Sequence, residues 1–142
     1  PRLIERLQAL QADGSLAGVD LLTDFQLQIE HTLDLRGRER TIIVDAAIGL
    51  DGAFRLTPVE PASALSWTTH SLTPAALSSL FGSLFGTPPR LEELAIGAAA
   101  FALGDDLSAL AARNLEPAIT RLIAELEPLS TATVGKTRHH VA

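Results

Sequence analysis

The run from Thr41 to Ile48 constrains the fold more than any other stretch, because almost all of its side chains are apolar. A continuous apolar run is typical of a β-strand that is covered on both faces, whereas a half-exposed strand alternates apolar and polar residues. The run contains one charged side chain, Asp45, which directly follows Val44. A buried strand does not need a carboxylate, but a ligand site beyond the carboxyl end of a strand often does. We therefore predict a central strand with Asp45 as a candidate functional residue at its tip.

Helical and extended patterns alternate along the chain. Helices are predicted over residues 1–12, 28–35, 74–85 and 108–126, and strands over 19–22, 41–48, 54–59 and 94–100. Alternation of this kind is typical of a mostly parallel sheet with helices packed against it. The predicted fold is therefore α/β: a three-layer sandwich whose mostly parallel sheet has one antiparallel edge strand and helices on both faces. We expect a single domain over residues 1–142, with a core up to about residue 127 and a flexible tail over 128–142.

Turn residues predict how the strand over 54–59 pairs. Glycine and aspartate follow the strand over 41–48 and favour a reversal of the chain. We therefore expect the two strands to form a hairpin in which the second lies antiparallel to the first. Pro58 has no backbone N–H to donate, which suits the edge of a sheet.

Two of the predicted helices have apolar faces that can be assigned. The helix over 74–85 begins where Thr73 can cap it and Pro74 can occupy its first turn, and it ends where Gly86 can cap it. Its expected buried residues are Leu77, Leu80, Phe81 and Leu84. In the helix over 28–35, the residues expected to face inward are Ile29, Leu33 and Leu35. Glu30 and His31 point about 100° apart on such a helix, so we interpret this adjacent pair as part of a partly exposed face.

Composition excludes several classes of function. Hydrophobic residues make up 46% of the 142 residues, as expected for a folded domain, and a net charge of −6 disfavours a nucleic-acid partner. Cysteine is absent, which excludes disulfides, thiolate catalysis and zinc–thiolate sites. No apolar run reaches the ~20 residues that a membrane-spanning helix requires. A cytoplasmic protein without a membrane partner is the expectation.

Two side chains remain as candidates for chemistry. The sequence has no nucleophile elbow, glycine-rich phosphate loop or H-E-x-x-H motif. Asp45 follows a charge-free strand, and His70 lies in a polar loop just before a helix. A carboxylate and a neutral imidazole are ordinary ligands for a borderline metal ion. The alternative for Asp45 is a loop cap that accepts backbone N–H groups, and the alternative for His70 is an exposed loop histidine.

Several stretches resemble the maturation endopeptidases of nickel–iron hydrogenases, in the same order and at similar spacing. They are Asp24–Glu30, Arg38–Ala46, Thr69–Pro74 and Leu94–Leu107. The likeness extends over nearly the whole chain up to about Leu126. No single motif among them is highly specific, so the resemblance depends on their order and on the shared α/β layout.

The resemblance implies a small cytoplasmic α/β protease, monomeric when free, that acts on one protein partner. Enzymes of this family remove a C-terminal peptide from the hydrogenase large-subunit precursor after nickel has been inserted. They recognise nickel in the substrate and carry no permanently bound cofactor. Asp45 and His70 correspond to two of the three side chains that line the family's nickel-recognition cleft. The third is an acid in a glycine-rich segment, and because the chain opens on Pro1 and not on methionine, we expect that segment and its strand upstream.

Two further functions stay open at this point. The chain could be a non-catalytic α/β domain that binds a partner protein's C-terminal tail, with Asp45 and His70 as hydrogen-bonding groups. It could also be an unrelated metal-dependent hydrolase. For the protease, metal-activated water and a carboxylate general base are both compatible with the sequence.

Overall fold

The computed structural model describes residues 2–63, 72–99, 109–131 and 138–141. These residues form an α/β structure in which helices pack against an open, mixed sheet. The helices are α1 (Arg2–Ala12), α2 (His31–Asp34), α3 (Pro74–Phe85) and α4 (Ala109–Thr131). The strands are β1 (Val19–Leu21), β2 (Arg38–Ile48), β3 (Phe54–Pro58), β4 (Arg90–Ala98) and β5 (Arg138–Val141). None of the helices in these ranges combines the length and apolarity needed to cross a bilayer.

The sheet has the strand order β1-β5-β2-β4-β3. β1 pairs with β5, β5 with β2, and β2 with β4, each in parallel, whereas β3 lies antiparallel to β4. β2 and β4 share the longest register, which runs from Arg40 opposite Arg90 to Ile48 opposite Ala98. This long pairing makes β2 and β4 the frame on which the other elements are placed.

The predicted hairpin between β2 and β3 is wrong. β3 pairs with β4, and β4 therefore separates it from β2. The parallel register with β4 occupies one edge of β2 as far as Ile48, so no room remains there for β3. Pro58 ends β3 at the edge of the sheet, where its missing N–H leaves no ladder bond unmade.

Two clusters of buried apolar side chains cover the sheet. The first contains Ile42 of β2 with residues of α1 and α4, and its members include Leu7, Leu94, Ala118, Leu122 and Leu126. The second contains Ile43 of β2 and Leu91 of β4 with Leu77 and Phe81 of α3 and Leu35 at the end of α2. Successive residues of a strand point to opposite faces of the sheet. Ile42 and Ile43 therefore place the two clusters on opposite faces of β2.

The inward face predicted for the region of α2 is largely wrong. Ile29 and Leu33 are 52% and 58% exposed, whereas Leu35 and His31 are buried. α2 is a single short turn of helix, and a periodicity that assumes a longer helix assigns its faces incorrectly. In α3 the predicted caps and core are confirmed, except that Leu84 in the last turn is 56% exposed.

Within 128–142, where the sequence suggests a flexible tail, the structure describes the end of α4 and residues 138–141. α4 runs as one helix through Pro117 to Thr131, and residues 138–141 form β5 between β1 and β2. Parallel pairing uses backbone N–H and C=O groups that every residue other than proline carries. A polar, aperiodic segment can therefore join a sheet without an apolar pattern.

Replacing Gly97 with alanine is expected to lower the free energy of unfolding by about 1–3 kcal/mol. A Cβ at this position in β4 would lie 2.9 Å from Asn114 Nδ2 and 3.0 Å from the backbone oxygen of Gly52. Asn114 cannot simply turn away, because its Nδ2 donates a 2.8 Å hydrogen bond to the carbonyl of Gly97. Chemical denaturation of the two proteins measures the difference.

Gly82 provides the matched control for this substitution. It lies within α3, and a Cβ there would meet no heavy atom within 4 Å. Gly82→Ala should therefore stabilise the protein by up to about 1 kcal/mol through helix propensity. Equal effects of the two substitutions would show that the close approach at Gly97 does not matter.

Candidate functional site

Asp45 lies inside β2 and not at its tip. It is opposite Ala95 of β4, and the strand continues to Ile48 because its pairing with β4 continues. On the other edge of β2, the described pairing with β5 ends at Ile42, opposite Val141. Asp45 thus comes after the last described β5 partner but within the β4 ladder. This corrects the predicted position while keeping the side chain near the carboxyl end of the sheet.

The carboxylate of Asp45 is accessible to a ligand. Asp45 is exposed, and its Oδ1 accepts a 2.8 Å hydrogen bond from the backbone N–H of Ala46. This bond between neighbouring residues orients the carboxylate and closes no loop. The loop-capping alternative therefore explains only part of the geometry.

Two clefts lie beside Asp45. The first has a volume of about 400 Å³ and the second about 340 Å³. Asp24 and Asp45 line both of them, together with Leu22 and Val44. A ligand in either cleft therefore meets the same pair of carboxylates.

The first cleft collects three segments that are distant in sequence. Its lining includes Asp24–Leu27 after β1, Ile43–Asp45 in β2, and Leu72–Pro74 at the start of α3. Each of these belongs to a different one of the stretches on which the family resemblance depends. Parts of three of the four stretches thus line one cleft.

Glu93 and the start of α3 add to the electrostatics of the first cleft. Glu93 of β4 is half-buried and lines this cleft. Thr73 caps α3, because its Oγ1 accepts a 3.1 Å hydrogen bond from the N–H of Ala76. The cap is one of the lining residues, so the positive end of the α3 dipole lies at the wall of this cleft.

His31 is a residue of the site that the sequence interpretation missed. The partly exposed helix face expected for it is wrong, since His31 is 8% exposed and lines the first cleft. Its Nδ1 accepts a 2.8 Å hydrogen bond from the N–H of Gln28, and its Nε2 lies 3.4 Å from Asp24 Oδ2. No local pattern signals this contact, because it depends on how residues 22–31 turn back toward β2.

His70, the second predicted ligand, lies outside the described residues, which stop at 63 and resume at 72. The neighbouring Leu72 and Thr73 line the first cleft. Within the described ranges, no group of three or more His, Cys, Asp or Glu side chains is arranged to hold a metal ion. Carboxylate oxygens and an imidazole together suit either acid–base chemistry or contact with a cation.

Comparisons with known proteins add no assignment to this geometry. No family model, curated protein or solved structure matches the chain. The interpretation of the site therefore depends on its own contacts and on the residues that carry the resemblance.

Proposed function

We propose that the protein is an endopeptidase that removes the C-terminal peptide of a nickel–iron hydrogenase large-subunit precursor after nickel insertion. One observation carries the proposal: the described parts of three resembling stretches meet in one cleft, around Asp45. Such convergence is expected if the stretches are alike because they form a substrate site. It is not expected if they are alike only because each packs against the sheet.

The proposed fold is a three-layer sandwich around a mostly parallel sheet. The two apolar clusters on opposite faces of β2 support this layering. The parallel pairing of β1 with β5, β5 with β2 and β2 with β4 supports the direction of the strands. In such sheets, ligands bind beyond the carboxyl ends of the strands, which is the end where Asp45 and its clefts lie.

In the proposed reaction, nickel belongs to the substrate. Asp45 and His70 contact a nickel ion that cysteines of the precursor hold, and this contact places the scissile peptide in the cleft. Hydrolysis then follows by one of two routes. In one, the substrate's metal polarises the peptide carbonyl and activates water. In the other, a carboxylate of the cleft removes the proton from the attacking water. We further propose that the protein acts in the cytoplasm, as a monomer when free.

A second candidate function is supported by Phe25. This side chain is fully exposed beside the first cleft and forms part of its lining. An exposed aromatic ring at the rim of a cleft suits the docking of an extended peptide. A non-catalytic domain that binds a partner's C-terminal tail would use the same surface without cutting it.

Incubation with precursor separates these candidates. The protein, expressed from its complete open reading frame, is mixed with nickel-loaded and, separately, with nickel-free large-subunit precursor. The mass of the precursor after each incubation is measured by mass spectrometry. We expect loss of a single C-terminal peptide from the nickel-loaded precursor alone. Binding of the intact precursor without any cleavage would support the docking domain and overturn the protease. Equal cleavage of the nickel-loaded and the nickel-free precursor would overturn recognition of the metal.

A further inference from the structure

His31 is buried in a segment where apolar side chains are exposed. It is 8% exposed, whereas Ile29 and Leu33 on either side of it are more than half exposed. Burying a polar ring costs free energy unless its nitrogens find partners, and an apolar side chain would fill the same space without that cost. The contacts of the imidazole therefore indicate what the residue does.

The two ring nitrogens of His31 have different partners. Nδ1 accepts the N–H of Gln28 at 2.8 Å, so this nitrogen carries no hydrogen in that contact. Nε2 then carries the ring hydrogen and faces Asp24 Oδ2 at 3.4 Å. The other oxygen, Asp24 Oδ1, accepts the N–H of Phe25 at 2.6 Å. One oxygen of Asp24 is thus held by a hydrogen bond, and the other faces the ring nitrogen of His31.

Asp24 lies where its carboxylate can contact a ligand in either cleft. Asp24 is exposed, and it lines both of the clefts that flank Asp45. Among the described lining of the first cleft, the ionisable side chains are Asp24, His31, Asp45 and Glu93. Three of these four side chains are carboxylates, so the cleft carries negative potential, and such clefts concentrate cations.

We propose that Asp24 binds a cation carried by the substrate and that His31 is the positioning residue that holds its carboxylate at the cleft. This inference rests on the proposed function, since it names a further group of the same substrate site. The cation is either the nickel ion or a basic side chain of the precursor. Both are recognised by the same carboxylate chemistry.

Two substitutions of His31 separate its two contacts. Asparagine places an amide oxygen near the position of Nδ1 and can still accept the N–H of Gln28, but it is too short to reach Asp24. Glutamine places an amide nitrogen near the position of Nε2 and can still donate to Asp24, but it loses the contact with Gln28. The two variants therefore test positioning and local stability independently.

The two variants should differ in opposite directions: one keeps its stability but binds substrate more weakly, and the other loses stability but keeps most of its substrate affinity. His31→Asn should keep a Tm near that of the wild type but raise KM for the precursor about tenfold, because Asp24 loses the ring nitrogen that faces its carboxylate. His31→Gln should lower Tm yet restore most of the substrate affinity. If KM simply follows Tm in both variants, His31 is structural and the positioning role is overturned.

Replacement of Asp24 tests the cation directly. Asp24→Asn keeps an oxygen for the N–H of Phe25 but removes the charge, and it should weaken precursor binding by about tenfold or more. Binding is measured separately with nickel-loaded and nickel-free precursor. A loss confined to the loaded form assigns the nickel ion, and an equal loss with both forms assigns a basic side chain. Asp51→Asn, in an exposed turn, is the control and should bind like the wild type.

The outcome distinguishes this inference from the function on which it rests. If wild-type protein neither binds nor cleaves the precursor, the proposed function fails. If the wild type cleaves normally and Asp24→Asn binds both forms as tightly as Asp51→Asn does, the function stands and the role of Asp24 is overturned.

Discussion

Replacing Arg40 with methionine is expected to lower the free energy of unfolding by about 3–5 kcal/mol. The Arg40 side chain is 10% exposed, and its Nε bonds to Glu92, whose side chain is 4% exposed. Its Nη2 bonds to Glu125 Oε2 at 2.7 Å, and its Nη1 donates to the backbone oxygen of Glu125 at 3.0 Å. Methionine fills similar space but leaves the buried carboxylate of Glu92 with Arg90, whose side chain is 64% exposed, as its remaining cationic partner. Urea denaturation at neutral pH measures the loss.

Arg121 offers a matched control within the same group of charges. It also pairs with Glu125, but its side chain is 49% exposed and the pair joins neighbouring turns of α4. Exposed pairs of this kind contribute less than about 1 kcal/mol. Arg121→Met should therefore be nearly neutral. A loss in Arg40→Met no larger than the loss in Arg121→Met would contradict the importance of burial.

A double substitution tests the reason for the loss. Without Arg40, the Glu92 carboxylate keeps only its 2.8 Å contact with the exposed Arg90. Arg40→Met combined with Glu92→Gln removes this under-compensated charge as well as its partner, so it should recover part of the stability that Arg40→Met loses. If the double variant is as unstable as the sum of the two single variants, stranded charge is not the cause. The loss would then come from packing around the aliphatic part of Arg40.

The same contact predicts how stability depends on pH. The side-chain hydrogen bond from Arg40 lowers the pKa of Glu125; partial desolvation opposes this shift and Arg121 adds to it. Because the pKa is lower in the folded state, the stabilisation is complete above the unfolded value of about 4.3. It is lost as the pH falls through the folded value. Acid titration of Tm should therefore be shallower in Arg40→Met than in the wild type.

Local signals in the sequence predict those elements whose ends and faces are determined locally. Thr73, Pro74 and Gly86 correctly mark the beginning and end of α3, because capping involves only neighbouring backbone groups. The apolar run around Ile42 and Ile43 correctly indicates a strand that is buried on both faces. These features need no knowledge of what lies far away in the chain.

Strand partners and loop contacts are not encoded locally, and there the sequence interpretation is incomplete. The turn after β2 favours a hairpin, yet β4, more than thirty residues further along, takes the edge that β3 would have used. The candidate site also combines a residue that the local sequence reveals with residues that it does not. Asp45 is recognisable because it interrupts an apolar strand, whereas Asp24 and His31 meet only after the segment between β1 and α2 folds back.

Asp45→Asn is expected to reduce cleavage of the nickel-loaded precursor by roughly 10²- to 10⁴-fold, the range typical of a lost acid–base group. Stability should change by no more than about 0.5 kcal/mol, because the side chain is exposed and asparagine keeps an oxygen for the N–H of Ala46. Asp51→Asn removes the same charge from an exposed turn outside both clefts and should cleave normally. Undiminished cleavage by Asp45→Asn would overturn the assignment of the site.

Binding and pH–rate measurements on Asp45→Asn decide whether Asp45 contacts the substrate's metal or acts as the general base. If Asp45 contacts the substrate's nickel, the variant should discriminate less between nickel-loaded and nickel-free precursor in binding, because one of the groups that contact the metal is gone. If Asp45 is instead the general base, discrimination should persist in binding, while the acidic limb of the pH–rate profile disappears from residual cleavage. Both measurements use the same variant and the same substrate. If discrimination between the two precursors falls while the pH–rate profile is unchanged, Asp45 recognises the metal and another group transfers the proton.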